Sequence, residues 1–115
     1  MKKSLTKQER LSVRQDINAL FEQGIRLKSS GVSLVKRKNG LSMNRVLIAP
    51  VKSIGNSVER NYQKRLVREV YRHEKPYLKT GFDFGFILYP GNYQFNDRKN
   101  QVREVLSRAN LYVQH

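Results

Sequence analysis

Arg60, Lys64, Arg68 and Arg72 recur every four residues in the segment GNSVERNYQKRLVREVYR, Gly55 to Arg72. A helix turns about 100° per residue, so these four stack into one ridge. With Lys75 they fill an arc of roughly 120°, while Val58, Tyr62, Leu66, Val70 and Tyr77 fill another of similar width. Arg65 falls at the border between the two. The reading makes the apolar arc the packing face, with Tyr62 at least partly buried. Like charges four apart repel by roughly 0.2–0.5 kcal/mol per pair, and Glu69 and Glu74 are too few to neutralise the ridge. Phosphates would relieve that repulsion. Arginine forks match phosphate oxygens two at a time, and the Gly-Asn-Ser turn opens the helix with free N–H groups at its positive dipole end.

Chemistry of another kind finds little material. Protein-borne phosphodiester hydrolysis wants paired carboxylates for metal ions or a histidine pair for acid–base work. The nine acidic residues are scattered, with no D-x-D or E-x-x-H spacing. His73 stands alone on the basic segment and His115 is the last residue. Glu69 is read as a partner of Arg65 or Arg72 along the helix. No cysteine is present, which excludes disulfides, thiolate zinc sites and cysteine nucleophiles and suits a reducing cytoplasm. The expectation is no catalytic residue and no metal ligand in the chain.

Composition points to a polyanionic partner. The formal net charge is +14, from 23 Lys/Arg against 9 Asp/Glu. Self-repulsion on that scale destabilises a compact chain, and release of counterions from phosphates compensates it. No apolar run approaches about 20 residues, and the basic start MKKSLTKQER lacks the apolar stretch of a secretory signal, so neither a membrane nor export is expected. DNA is disfavoured because strands flank the basic helix where a helix-turn-helix would need a second helix. Composition leaves a structural RNA-binding protein of ribosomal type open as one reading.

The elements that must position the ridge read in the order α-β-β-α-β-α. The 115 residues favour one domain with a basic tail over about residues 1–6. Ser4 or Thr6 caps a first helix, with Thr6-x-x-Glu9 as a capping box, Val13, Ile17, Leu20 and Phe21 as its apolar face and Gly24 as its stop. GVSLVKRKNG and NRVLIAPVK read as strands, Pro50 falling near an end or on an edge. Asn56 or Ser57 caps the basic helix, which runs to about Tyr77, with Pro76 and Gly81 marking its decay. FDFGFILYPGN is a third strand. A last helix, capped by Asn96, turns Val102, Val105, Leu106 and Ala109 inward. Mixed elements in so small a chain indicate α+β with a single sheet.

The pattern Gly55-Asn56-x-Val58-x-Arg60-Asn61-x-x-Lys64-Arg65-x-x-Arg68-Glu69 resembles the signature of the bacterial ribonuclease P protein subunit. QDINALFEQG, NRVLIAPVKSIGN and FDFGFILYPG extend the resemblance over nearly the whole chain. It implies a small α/β sandwich with a mixed sheet and a left-handed βαβ crossover, like the second domain of a small-subunit ribosomal protein. It implies a cytoplasmic partner of a catalytic RNA that removes the 5′ leader of precursor tRNA. The RNA would carry the chemistry and bind most of the required Mg2+, with none held tightly by the protein. By resemblance, Asn56, Arg60, Asn61, Lys64, Arg65, Arg68 and Arg72 face RNA. Ile17, Phe21, Val35, Lys52 and Ser53 match the lining of a cleft for the single-stranded leader. The chain departs from the family pattern at Tyr62, where a second arginine is usual, at Ile17 and Val35, where aromatics are common, and at Ser53, which replaces a lysine.

Overall fold

The computed structural model describes residues 5–113. Three helices, α1 (Arg14–Gln23), α2 (Ser57–Glu74) and α3 (Phe95–Arg108), pack on four strands, β1 (Ile25–Ser29), β2 (Val32–Lys38), β3 (Arg45–Pro50) and β4 (Phe82–Leu88). The sheet runs β1-β2-β4-β3, antiparallel except for the parallel pair β3–β4. Helix α2 makes the crossover between that pair. This is the α+β class with a mixed sheet, with one strand more than the α-β-β-α-β-α order. The added strand, β1, turns into β2 through Gly31, whose φ of +79° favours a residue without Cβ.

Strand β4 shows how alternation builds two layers. Phe84, Phe86 and Leu88 are buried on one face, with Val32, Leu34, Val46 and Ile48 from the neighbouring strands. Against them pack Val67, Val70 and Tyr71 of α2 and Val102, Val105 and Leu106 of α3. The Tyr71 ring meets Phe84 and Phe86 edge-on, with centroids 6.3 and 6.0 Å away. Each such buried side chain contributes about 1.5–3 kcal/mol of hydrophobic stabilisation. The opposite face carries the smaller cluster of Leu11, Leu20 and Val35, covered by α1. There Gly85 admits the helix, since a Cβ would lie 3.2 Å from Leu20 and 3.4 Å from the Phe21 ring.

Two polar devices lock these layers. Arg45 grips the buried Asp83 with two bonds of 2.8 Å and reaches Asp16 of α1 at 3.2 Å. Arg98, fully buried, donates to Gln63 on α2, to Gln101, and to the carbonyls of Gly31 and Tyr89. Its guanidinium also lies over the Tyr93 ring, 4.6 Å from the centroid.

Several expectations are corrected. Thr6 and Glu9 do form the capping box, but around a short 3-10 turn at Lys7–Glu9, and α1 begins only at Arg14 behind Val13. Arg10 and Leu11 run in extended form beside Val46, which forces the chain to turn before α1. Ser4 lies outside the described residues. Helix α3 is capped by Gln94 with Asp97 three residues on, and Asn96 is already helical. Gly24, Pro50 and Asn56 hold the expected places, and α2 passes at Lys75–Tyr77 into a 3-10 turn.

Candidate nucleic-acid interface

The largest correction concerns the faces of α2. Its buried stripe is Gln63, Val67, Val70 and Tyr71, about one residue step, or 100°, around the helix from the predicted arc. Val58 and Tyr77 are 73% and 57% exposed, and Tyr62 is 40% exposed. The reason is Gln63. A wheel drawn on hydrophobicity sends a glutamine outward, yet its Oε1 accepts from Arg98 Nε at 2.8 Å and its Nε2 donates to Glu59 at 3.2 Å. Satisfied in this way, the amide can be buried. Arg65 therefore moves from the border to the middle of the exposed side.

The cations divide by what they already hold. Arg60 donates from Nη1 to the carbonyls of Gly55 at 2.6 Å and Lys52 at 3.3 Å, closing the loop before the helix. Asn56 accepts the Glu59 N–H at 3.0 Å as the N-cap. Arg72 donates from Nε and Nη2 to Glu69 at 3.1 and 2.5 Å, and His73 shares that carboxylate at 3.1 Å. The bond from Arg72 holds the Glu69 carboxyl below its ordinary value, with a smaller contribution from His73. This is the pairing read for Glu69, and it leaves His73 on the surface.

Asn61, Lys64, Arg65 and Arg68 differ. Their side chains have no hydrogen-bond or ion-pair partner among the described residues, and together they line a shallow depression of about 280 Å³. Arg10, from the extended segment along β3, meets Lys64 and Arg68 in one adjoining groove and Arg65 and Arg68 in another. Sequence reasoning missed Arg10, because its spacing relates it to no motif; the bridge to Val46 brings it here. The result is a concentrated field of unpaired cations with one amide among them.

The second surface lies on the α1 face of the sheet. Ile17 is half-buried in the smaller cluster, and Phe21 is 36% exposed with its ring edge over Gly85. Val35 is 1% exposed beneath α1, so it supports this wall and offers no surface to a base, which corrects its expected place in the lining. Lys52 and Ser53 are exposed in the β3–α2 loop. Alternation and register put Leu47, Ala49 and Ile87 on the same face, each half-buried beyond α1. At its rim Tyr89 exchanges a hydrogen bond with Ser33 at 3.1 Å, and Lys28 Nζ stands 5.8 Å from the Tyr89 ring centroid. These residues went unnamed from sequence. The signal was present in β4, where Gly85 and Ile87 alternate with the buried phenylalanines.

Most of the carboxylates are already engaged. Glu9 bonds Lys75, Asp16 and Asp83 bond Arg45, and Glu74 accepts from Tyr112. Among the described residues no three His, Cys, Asp or Glu gather where they could hold a metal ion. No described helix is long and apolar enough to cross a membrane.

These surfaces sit on a chain with extensive kinship. A family model for Ribonuclease P matches residues 5–110. The Ribonuclease P protein component of Thermotoga maritima is 37% identical over 87 residues, covering 76% of this chain and 74% of that protein. That of Dictyoglomus thermophilum is 33% identical over 110 residues and covers 92% of each. The solved RNase P protein from Thermotoga maritima superposes with a TM-score of 0.77 at 30% identity, over 87% of this chain and 96% of its own. The RNase P protein from Staphylococcus aureus reaches a TM-score of 0.79 over 96% and 97% of the two chains, and at 22% identity it speaks for the fold alone. The family model from residue 5 to residue 110 and these relatives agree, and the chain belongs to the Ribonuclease P family of protein components.

Proposed function

We propose that this chain is the protein subunit of a ribonuclease P holoenzyme, in which an RNA subunit cleaves precursor tRNA to release the 5′ leader. The observation that carries the reading is the set of unpartnered side chains Asn61, Lys64, Arg65 and Arg68 in one depression on α2. Unpaired guanidinium groups, free of carboxylates, suit phosphates of a folded RNA. Asn61 offers both a donor and an acceptor to a ribose or base edge. Arg60, Asn56 and Arg72 hold the helix and its entry loop in shape, and contribute to the field more than to direct contact.

The leader of the precursor lies across the face beside α1. Phe21 and Ile17 form its wall, Leu47, Ala49 and Ile87 its floor, and Lys28, Lys52 and Ser53 its polar edge. Single strands bind where apolar or aromatic faces accept bases and flanking cations hold the backbone. The magnesium ions of the reaction belong mainly to the RNA, and the protein orients substrate in the cytoplasm of a bacterial cell. The test is affinity of the protein–RNA complex for precursor tRNA with and without its leader. Preference for the leader-bearing form supports the reading, and equal affinity for both overturns the leader face.

A further inference from the structure

A cavity of about 640 Å³ opens between the C-terminal half of α2, α3 and the segment after it. On α2 it lies about 180° around the helix from the centre of the Asn61–Arg68 face, so the proposed RNA contact does not account for it. Its size suits one nucleotide. Tyr77 contributes an exposed ring, and Phe95, Tyr112 and Val113 add apolar wall. The polar groups are arranged in two parts. Glu74, with a side chain only 12% exposed, accepts from the Tyr112 hydroxyl at 2.7 Å through Oε1. Its other oxygen has no partner among the described residues. Arg103 makes a long ion pair from Nε to the same oxygen at 3.7 Å, and Lys99 has no partner among the described residues. An aromatic wall, one buried acceptor and two cations therefore face a common space.

We propose that this cavity is a second nucleotide site, taking a guanine nucleotide either free or as an unpaired residue of an RNA strand. The base lies against Tyr77, since every base offers a π face to an aromatic ring. Glu74 accepts from the imino and amino N–H groups on the guanine edge, a pattern that adenine and uracil do not present. Lys99 and Arg103 take the phosphate. The positive charge of the chain favours an anionic ligand over a protein helix, and the carboxylate selects among bases.

The site is tested on the full isotope-labelled chain, titrated with guanosine monophosphate, adenosine monophosphate and inorganic phosphate while backbone amide signals are followed. Guanosine monophosphate should shift the amides of Tyr77, Arg103 and Tyr112 and bind several-fold tighter than the adenine nucleotide. Tyr77→Ala removes an exposed ring, so the fold is kept, and it should weaken binding about tenfold. Glu74→Gln should abolish the preference for guanine. A trinucleotide with a central guanine that binds tighter than the mononucleotide would assign the site to a strand, and equal affinity would assign it to free nucleotide. Shifts confined to Asn61–Arg68, phosphate alone reproducing the shifts at the same affinity, or unchanged affinity in Tyr77→Ala would each overturn the proposal.

Discussion

Arg68 should neutralise a phosphate when RNA binds, and Arg72, four residues on, should not. Arg68 has no partner among the described residues, whereas Arg72 is forked onto Glu69. For Lys64, Arg65 and Arg68 together, each meeting one phosphate, the slope of log affinity against log salt is about −2 to −3. Raising salt from about 50 to 200 mM then weakens this face's share of binding roughly 20- to 40-fold. Arg68→Ala should flatten the measured slope by about 0.7–0.9 and reduce that loss to roughly 7- to 12-fold. The assay is equilibrium filter binding of the full chain to its RNA subunit at five or six salt concentrations, for the natural chain, Arg68→Ala and Arg72→Ala. An unchanged slope in Arg68→Ala would mean a solvated charge. Equal flattening by both variants would mean that the ion pair with Glu69 opens on binding, and the division of the ridge into free and engaged cations would be wrong.

Further outcomes follow from the same geometry. Phe21→Ala should weaken the complex with leader-bearing precursor by about 1–3 kcal/mol and leave the leaderless form nearly unaffected, as read by parallel titrations. Arg98→Met should cost at least about 3 kcal/mol in urea unfolding, because it strands acceptors on Gln63, Gly31 and Tyr89 in the interior. Burial alone would raise the Glu9 carboxyl, but the Thr6 N–H and the Lys75 ammonium outweigh it and hold the group below its ordinary value. A depressed carboxyl stabilises above its unfolded pKa and loses that contribution as pH falls through the folded one. Glu9→Gln should therefore show a shallower loss of stability between about pH 5 and pH 3 than the natural chain, measured by denaturant midpoints.

Helix and strand positions were legible where period and punctuation agreed. Gly24 ends α1, Asn56 caps α2, and the alternation of FDFGFIL puts Phe84 and Phe86 in the core. Failures came where a tertiary partner overrides the local pattern. Gln63 is inside because Arg98 of α3 satisfies its amide, and this one exchange rotates the whole helix and brings Tyr62 and Tyr77 outward. Strand β1 brings only Ile25 and Leu27 to its core face, with Ile25 63% exposed at the sheet edge, and only pairing with β2 reveals it. The Thr6–Glu9 box caps a real turn, but the bridge from Arg10 to Val46 cuts it off from α1. Apart from Arg10, the cationic residues of the candidate site were readable as a set. Which of them are free was not, because Gly55, Lys52 and Glu69 engage Arg60 and Arg72 through geometry that spacing alone does not fix.

On the proposed reading, the unpartnered cations of α2 join this chain to a catalytic RNA. Reconstitution of the chain with its RNA subunit and a leader-bearing precursor tRNA, at magnesium too low for the RNA alone, tests it most directly. The natural chain should restore release of the leader, and a variant with Lys64, Arg65 and Arg68 all changed to Gln should not, although it stays folded. Leader release by that variant at the natural rate, or no stimulation by the natural chain at any salt concentration, would contradict it.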